Sequence, residues 1–255
     1  MKTIAIVTGA SSGLGREFVK QLDSDDKLDE IWICARRKEL LQNLSYEINI
    51  PTKIIAGDVT DQSWLKNLSY YLENDQVQIH TLVNSAGLGK TGSFASIGLE
   101  DNAYMIEVNI LALTKICSVC LPYMMSQGRI LNVASVAAFL PQANFAVYAA
   151  TKAYVLSLSR AMNQELKDKM ITVTAVCPNP VETEFFLNTG GKSQYDSLKN
   201  IGLEEVETVV SVALKKSEQK KDISISSLIA KSIQLISRIM PHPFILKISE
   251  FLGIS

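Results

Sequence analysis

The stretch Thr8-Gly9-Ala10-Ser11-Ser12-Gly13-Leu14-Gly15 decides the fold, because its glycines stand between an apolar run and an amphipathic helix. Residues 4–8 predict a buried strand, and Phe18, Val19 and Leu22 mark the apolar side of the helix that follows. Glycines let the backbone turn tightly and approach a phosphate, while the N-terminus of the helix offers unpaired N–H groups to an anion. The stretch therefore predicts a dinucleotide site; the alternative is a glycine turn that only joins a strand to a helix.

Beyond this turn, short β-branched runs alternate with longer segments of helical period. The runs predicted as strands are 4–8, 31–35, 53–56, 81–84, 129–134 and 172–177. The segments predicted as helices are 14–24, 38–49, 62–74, 100–126, 145–168 and 204–217. Such alternation is typical of a parallel sheet, and nearly continuous apolar strands indicate that both faces are covered. We therefore predict an α/β fold, a doubly wound, Rossmann-like parallel sheet with helices on both faces, in a single domain over residues 1–255.

The composition, with 47% apolar and 20% charged residues in 255, is typical of a globular protein. A net charge of −1 argues against a nucleic-acid-binding protein, which would carry a basic patch. No continuous apolar run approaches the ~20 residues of a membrane span, and the first run is too short for a signal peptide. The cysteines are scattered, which favours reduced, buried thiols and a cytoplasmic location, although Cys117 and Cys120 form a CxxC pair that leaves a redox or metal role open.

Tyr148 and Lys152 are four residues apart inside the predicted helix 145–168, so their side chains share one face. A cation beside a phenol favours the phenolate, so we expect Lys152 to lower the pKa of Tyr148 below its usual value of about 10. Such a shift suits a general acid–base catalyst. Taken alone, the pair is more simply interpreted as a half-buried tyrosine beside a solvated lysine.

Further motifs follow in an order that resembles the short-chain dehydrogenase/reductase family, beginning with the TGxxxGxG spacing of the glycine turn. The matching segments are 8–15, Asp58-Val59, Asn84-Ser85-Ala86-Gly87, Asn109, Ser135, Tyr148 with Lys152, and Pro178-Asn179-Pro180-Val181-Glu182-Thr183. Together they cover roughly residues 3–184. Asn179 departs from the pattern, because the family usually has glycine there; we expect it to restrain the loop without removing a catalytic group.

The resemblance implies an oxidoreductase that moves a hydride between a nicotinamide cofactor and a carbonyl or secondary alcohol carbon. In the family pattern Tyr148 gives or takes the proton, Lys152 lowers the tyrosine pKa and binds the nicotinamide ribose, and Ser135 hydrogen-bonds the substrate oxygen. Asn109 is expected to hold a water that links Lys152 to solvent. The implied catalytic residues are therefore Asn109, Ser135, Tyr148 and Lys152.

Cofactor-binding residues are implied by the same motifs. Asp58 and Val59 are expected at the adenine ring, and Thr183 at the nicotinamide carboxamide. Thr183 has the alternative role of a helix cap, and Asn84 that of a brace for its neighbouring loop. The implied cofactor set is Gly9, Ser11, Ser12, Gly13, Leu14, Gly15, Arg36, Arg37, Asp58, Val59, Asn84, Ala86, Gly87, Tyr148, Lys152, Pro178, Val181 and Thr183.

The end of the second predicted strand indicates which dinucleotide binds. An acidic residue there would bind the ribose hydroxyls of NAD, but Ala35 stands at that position, and Arg36 and Arg37 follow. The planar guanidinium of Arg36 suits a 2′-phosphate, and Arg37 can assist. We therefore predict NADP(H) in preference to NAD; the alternative is that both arginines only begin a solvated helix.

The chain beyond Thr183 is expected to shape the substrate site. A lid is predicted over about residues 184–203, with Gly190-Gly191 as its hinge or, alternatively, as an ordinary surface turn. The predicted substrate-contacting residues are Ser135, Tyr148, Phe185 and Phe186.

A C-terminal extension, about residues 226–255, is predicted to form an amphipathic helix that Pro241 and Pro243 end. Its apolar positions at helical spacing are Ile229, Ile233, Ile236 and Met240, with Lys231, Gln234 and Arg238 opposite. Three interpretations stay open: a helix packed on the substrate cleft or a subunit surface, a helix lying in a membrane interface, and a disordered tail. The arrangement resembles family members that reduce lipophilic ketones, such as hydroxysteroids and acyl chains, so a lipophilic substrate is expected.

These observations predict an NADP(H)-dependent oxidoreductase of a small-molecule ketone or secondary alcohol, assembled as a homodimer or homotetramer through helices 100–126 and 145–168. One alternative is a catalytically silent dinucleotide-binding sensor or scaffold. Another is an epimerase or dehydratase of the extended branch, which the glycine spacing and the short chain disfavour. His80 and His242 lack the partners of a hydrolase triad, and no metal is expected, because no paired Cys/His spacing is present.

Overall fold

The fold is given by a computed structural model, which describes residues 1–181, 183–187 and 202–251. Its strands are β1 Lys2–Thr8, β2 Glu30–Ala35, β3 Thr52–Ala56, β4 Val77–Asn84, β5 Met124–Val133, β6 Thr172–Val176 and β7 Ile223–Ser224. They form one sheet in the order β3-β2-β1-β4-β5-β6-β7, and every described strand pair is parallel. Because the order reverses between β1 and β4, the sheet has a crevice at their carboxyl ends, where ligands bind in open α/β folds.

Helices cover both faces of this sheet. They are α1 Gly13–Leu22, α2 Lys38–Glu47, α3 Gln62–Asn74, α4 Leu99–Ile106, α5 Leu113–Cys120, α6 Ala146–Glu165, α7 Glu184–Leu187, α8 Val206–Glu218, α9 Leu228–Ile239 and α10 His242–Phe251. Ala5 and Val7 of β1 pack in one buried cluster with α1, α2 and α8. Ile4 and Ile6 pack in the other with α3, α5 and α6. The predicted doubly wound α/β fold is therefore confirmed, while the single domain over the whole chain stays a prediction.

The predicted helix 100–126 is wrong in its last part. Helix α5 ends at Cys120, a 3-10 turn follows, and Met124 begins β5 by pairing with Ile79. Pro122 lies in that turn, and a residue without an N–H group, whose ring clashes with the preceding turn, cannot continue the helix. The apolar residues after Pro122 therefore extend a strand.

Strand β7 was not predicted. Ile223 and Ser224 pair with Ala175 and Val176 at the edge of the sheet. Two residues are too few to show the alternation that identifies a strand, so only the neighbouring β6 places them.

The helical run Leu99–Tyr123 is long and apolar enough to cross a membrane by length and composition alone, with a mean hydropathy of 1.6 in its most apolar window. It is not a continuous apolar run, because charged residues interrupt it. Core helices pass the same test, and 44% of this window is buried inside the protein. Here α5 packs against the sheet through Ile116, Cys117 and Cys120.

The C-terminal extension forms two helices, α9 and α10, and the break between them falls at Pro241, as predicted. Pro243 was predicted to break the helix as well, but it lies in the first turn of α10, where proline is tolerated. Ala230 is the fully buried residue of α9, which packs on the 3-10 turn Val136–Phe139 beside the crevice. The predicted apolar stripe is only partly turned inward, since Ile229 and Ile236 are 47% and 45% exposed. The side of α9 that packs on the protein therefore coincides only in part with the side that carries the predicted apolar positions.

Candidate active site

A cleft of about 980 Å3 opens at the crevice between β1 and β4. Most of the predicted site residues line it: Gly9, Ser11, Ser12, Gly13, Leu14, Arg36, Arg37, Asp58, Val59, Ala86, Gly87, Ser135, Tyr148, Lys152, Pro178, Val181, Thr183 and Phe185. Three others, Gly15, Asn84 and Asn109, are buried behind this wall. The sequence motifs are thus brought together at one edge of the sheet.

The glycine turn brings the start of α1 to the cleft. Gly9 has φ of +69°, and a Cβ there would lie 2.8 Å from the Ala86 nitrogen, so only glycine fits. A Cβ on Gly15 would lie 2.2 Å from the Gly9 carbonyl oxygen, so its absence lets α1 pack on the turn. The side chain of Ser12, the N-cap residue, makes no capping bond to the helix, which leaves the first N–H groups of α1 to an anion. This turn fits the pyrophosphate of a dinucleotide.

Arg37 lies against the two serines of the glycine turn. Its Nη2 lies 3.2 Å from Ser11 Oγ, 3.0 Å from Ser12 Oγ and 2.8 Å from Glu184 Oε2, so two N–H protons are shared among three acceptors. The hydrogen bond from Arg37 holds the pKa of the Glu184 carboxyl below its usual value. The arginine that sequence reasoning made secondary therefore contacts the glycine turn, and Glu184 is a site residue that it missed.

Arg36 points instead toward Asp58. Its Nη1 donates to the Tyr104 hydroxyl at 3.2 Å and lies 3.8 Å from Asp58 Oδ2, and Tyr104 donates to the same carboxylate at 2.6 Å. Burial raises the pKa of Asp58, but hydrogen bonds from Tyr104 and Thr60 outweigh it and hold that pKa below its usual value. Tyr104 also lines the cleft and was not predicted, because an aromatic residue inside an apolar helix carries no distinguishing signal.

Ser135, Tyr148 and Lys152 meet where β5 ends and α6 begins. Ser135 Oγ accepts the Ala137 N–H at 3.1 Å, which orients the hydroxyl beside Tyr148. The ammonium of Lys152 donates to the Val133 carbonyl at 2.7 Å and lies 5.6 Å from the centre of the tyrosine ring. Two hydroxyl groups and one ammonium thus share the same end of the cleft.

The expectation that Lys152 lowers the pKa of Tyr148 is wrong for this structure. Burial raises the pKa of Tyr148 to about 12 and lowers that of Lys152 to about 8, because loss of water disfavours the charged form of each group. An ammonium held by a backbone carbonyl, with the ring centre 5.6 Å away, does not offset the desolvation of the phenol. Burial, which the sequence spacing does not show, decides both shifts.

Asn109 lies in a π-helical segment, Glu107–Ala112, between α4 and α5, and such segments are frequent at functional sites. Its Nδ2 donates to the Leu88 carbonyl at 2.8 Å, and its Oδ1 accepts the Leu88 N–H at 3.0 Å. A Cβ on Gly87 would lie 3.2 Å from Asn109 Oδ1 and 3.4 Å from Lys152 Nζ. Asn109 therefore braces the loop beside Lys152, and its predicted water stays a prediction.

The structure does not place Asn84 on the cleft. Its Nδ2 donates to Asn132 Oδ1 at 2.9 Å on the neighbouring strand and lies 3.2 Å from Cys117 Sγ. Asn84 and Asn132 are register partners of β4 and β5, so their buried side chains meet inside the fold. These contacts support the alternative of a brace, and cofactor binding by Asn84 stays a prediction.

Aromatic rings enclose Tyr148. Phe145 stacks on it with ring centres 4.2 Å apart, and Phe185 tilts over it at 5.5 Å. A Cβ on Gly89 would lie 2.8 Å from Phe185 Cζ and 2.9 Å from Tyr148 Cδ2, so this glycine makes room for the rings. Phe185 was predicted at the substrate end of the cleft; Phe145 was missed, although it lies one helical turn before Tyr148.

Part of the predicted lid over about residues 184–203 lies outside the described residues. Helix α7 begins at Glu184, but neither the side chain of Phe186 nor residues 188–201, with Gly190-Gly191, belong to the described part of the chain. The hinge and the substrate contact of Phe186 therefore stay predictions.

Asn179 ties the loop after β6 to the C-terminal extension. It is buried, its N–H donates to Glu204 Oε2 at 2.7 Å, and its Nδ2 donates to Ser227 Oγ at 3.1 Å. Ser227 in turn caps α9 by accepting the Ala230 N–H at 3.0 Å. Asn179 restrains the loop as expected. Helices α9 and α10 also contribute Ile233 and Ile245 to the lining of the cleft.

Known proteins share this sequence pattern and fold. A family model described as short chain dehydrogenase matches residues 3–193. Serine 3-dehydrogenase of Agrobacterium fabrum is 32% identical over 240 residues, covering 89% of this chain and 93% of that protein. A short-chain dehydrogenase from Sphingobium yanoikuyae, solved in complex with NADPH, matches with a TM-score of 0.79 and 28% identity over 94% of each chain. The bulky-bulky ketone specific alcohol dehydrogenase from Comamonas testosteroni matches with a TM-score of 0.75 and 27% identity, over 94% of this chain and 92% of that one.

Proposed function

The chain belongs to the short chain dehydrogenase family and is an oxidoreductase, and from this premise we propose that it interconverts a lipophilic ketone and its secondary alcohol with NADP(H). The observation that carries the proposal is the pair Ser135 and Tyr148, which lines the same cleft as the glycine turn. The pair can hold a substrate oxygen at one end while the turn holds a dinucleotide along the other.

The nicotinamide ring, when bound, supplies or accepts the hydride. In reduction the Tyr148 hydroxyl donates its proton to the substrate oxygen, on which negative charge develops. Ser135, already oriented by the Ala137 N–H, donates a hydrogen bond to the same oxygen. In oxidation the Tyr148 phenolate accepts the proton of the alcohol.

Lys152 has the geometry to support both the proton transfer and the cofactor. Its ammonium has three protons, and one of them is given to the Val133 carbonyl. The others remain for a ribose hydroxyl and for the phenolate oxygen of Tyr148. Because burial raises the pKa of that phenol to about 12, the oxidation direction depends on Lys152 more than the reduction direction does.

Two observations support NADP(H). Arg36 and Arg37 line the cleft after β2, where Ala35 replaces the carboxylate that would bind the ribose hydroxyls of NAD. The Sphingobium yanoikuyae neighbour is in complex with NADPH. The glycine turn and the free N–H groups of α1 fit the pyrophosphate that both dinucleotides share.

The lining of the cleft supports a lipophilic substrate, such as a hydroxysteroid-like or acyl-chain ketone. Phe145, Phe185, Ile233 and Ile245 line the cleft together with Tyr148, and the Comamonas testosteroni neighbour is specific for bulky-bulky ketones. The relative named serine 3-dehydrogenase points to a polar substrate, which this apolar lining disfavours.

The proposal is tested by following NADPH oxidation and NADP reduction with steroid, acyl and small ketone or alcohol panels. We expect turnover on a lipophilic member of the panel and its loss in Tyr148→Phe, which retains NADPH binding. Tyr154→Phe is the matched control, because Tyr154 is on the same helix, is partly exposed and contacts Thr114 at 3.0 Å outside the cleft. Full turnover in Tyr148→Phe would contradict the proposed role of Tyr148 in proton transfer. NADPH binding by the wild type with no turnover of any substrate would favour the silent sensor or scaffold instead.

The proposed assembly is a homodimer or homotetramer in the cytoplasm. Ile106, Leu111 and Tyr154 are exposed on the predicted subunit helices, which supports a contact there. The four cysteines are free and buried, which agrees with a reducing compartment.

A further inference from the structure

Helix α9 carries apolar residues on the side turned away from the protein. Leu228, Leu235 and Ile239 follow each other at i, i+7 and i+11, which places them on one stripe of the helix. They are 78%, 60% and 72% exposed, whereas Ala230, on the opposite side, is fully buried. We call Leu228, Leu235 and Ile239 the outer stripe. A helix whose only role is to cover the core would carry polar residues there.

The charged residues of α9, the helix that carries the outer stripe, are both positive. Lys231 and Arg238 are exposed on α9, and Leu228–Ile239 contains no acidic residue. The next helix adds an exposed Phe244 and an exposed Lys247. Aliphatic and aromatic side chains flanked by lysine and arginine are typical of helices that lie in the headgroup region of a bilayer.

We propose that the outer stripe binds the surface of an anionic membrane, with Lys231 and Arg238 at the lipid phosphates and Leu228, Leu235 and Ile239 among the upper acyl carbons. A membrane fits better than a second copy of the chain. In a two-fold contact the same face meets itself, so Lys231 and Arg238 of one copy would face those of the other. An anionic lipid surface supplies the opposite charge.

The same helices connect this surface to the cleft. Ile233 of α9 and Ile245 of α10 line the cleft wall, so docking through the outer stripe brings that wall close to the bilayer. Delivery of a lipophilic ketone from the bilayer to Tyr148 rests on the proposed function. Binding of the outer stripe to the membrane does not rest on it, so membrane binding and the proposed activity can be refuted separately.

The test is co-sedimentation of the full chain with vesicles of phosphatidylglycerol and phosphatidylcholine in equal parts, against phosphatidylcholine alone. We expect binding to the anionic vesicles that weakens as salt rises, because salt screens surface charges. The double variant Lys231→Glu with Arg238→Glu should lower the partition coefficient about 20-fold or more, since each cation near the surface contributes about fivefold. Leu235→Glu with Ile239→Glu should abolish binding.

Matched controls distinguish binding through the outer stripe from non-specific binding to vesicles. Tyr46→Glu removes another exposed hydrophobic side chain, on α2, and Lys215→Glu with Lys220→Glu reverses two exposed cations of the α8 region. Both controls should bind vesicles like the wild type. Failure of the wild type to bind anionic vesicles, or equal losses in the controls, overturns the proposal.

Two further outcomes identify a different occupant. If Leu235→Glu with Ile239→Glu dissociates an oligomer in analytical ultracentrifugation, the outer stripe is a subunit contact. If the same variant loses its far-UV circular dichroism, the stripe is covered by the chain itself. Each result contradicts membrane docking, and NADPH turnover with a soluble substrate shows independently whether the proposed function holds.

Discussion

Replacing Glu184 by glutamine should tighten the binding of NADP and leave that of NAD nearly unchanged. In the structure Glu184 Oε2 lies 2.8 Å from Arg37 Nη2 and is the charged member of three acceptors around that nitrogen. An arginine near the adenosine ribose accommodates a 2′-phosphate, and Arg36 and Arg37 both line the cleft. A phosphate that pairs with Arg37 competes with the carboxylate of Glu184, whereas NAD leaves the ion pair intact.

The magnitude follows from the exposure of the pair. The side chains of Arg37 and Glu184 are 47% and 50% exposed. Exposed ion pairs contribute about 0.2–1 kcal/mol, so the Kd of NADP should fall by about 1.4- to fivefold. Removing a carboxylate beside the bound phosphate acts in the same direction, and salt reduces both effects.

Isothermal titration of NADP and NAD at low and high salt measures this difference. Glu165→Gln, an exposed residue at the end of α6, is the matched control and should change neither Kd. In an Arg37→Ala background, Glu184→Gln should have a smaller effect on the Kd of NADP, because the ion pair it relieves is already gone and only the repulsion between carboxylate and phosphate remains. An equal gain for NAD and NADP, or no gain for NADP, would refute the reasoning.

Two further predictions concern Lys152 and Gly89. Lys152→Met should abolish turnover yet raise Tm at pH 7, because burial lowers the pKa of Lys152 in the folded chain to about 8, against its usual 10.5. A lysine whose pKa is lowered in the folded chain destabilises the fold fully below pH 8 and less as pH rises toward 10.5. Lys152→Met should therefore raise the free energy of unfolding by at most about 3 kcal/mol at pH 7, and by less at pH 10. An unchanged Tm at pH 7 would contradict this prediction. Gly89→Ala should lower turnover by up to about 100-fold while NADPH binding is kept. The added Cβ would lie 2.9 Å from Tyr148 Cδ2 and would displace the tyrosine ring. Turnover at the wild-type rate would contradict this prediction.

The features that short sequence patterns encode were predictable. The glycine turn, the strand–helix alternation and the four-residue spacing of Tyr148 and Lys152 each depend on residues close together in the chain. The order of the motifs then placed Ser135 at the same end of the sheet, and the structure has Ser135 and Tyr148 lining one cleft. Pro122 also indicates where the helix within 100–126 ends.

Contacts between distant segments were not predictable in the same way. Glu184 meets Arg37, and Tyr104 meets Asp58, only because the fold brings their turns to one edge of the sheet. Part of the burial of Tyr148, which raises its pKa, comes from Phe185, a residue of the distant segment after β6. The partners of single polar residues, such as Asn84, are likewise set by the fold.

The pairing of Val181 with Glu204 has a consequence for how this scaffold changes over evolution. Glu204 donates its N–H to the Pro180 carbonyl at 3.0 Å and its side chain accepts the Asn179 N–H at 2.7 Å, so the two ends of the intervening segment are held together by contacts outside it. The entropy of closing such a loop grows only slowly with its length. The number of residues between Val181 and Glu204 can therefore change at little cost in closure entropy while these end contacts are kept.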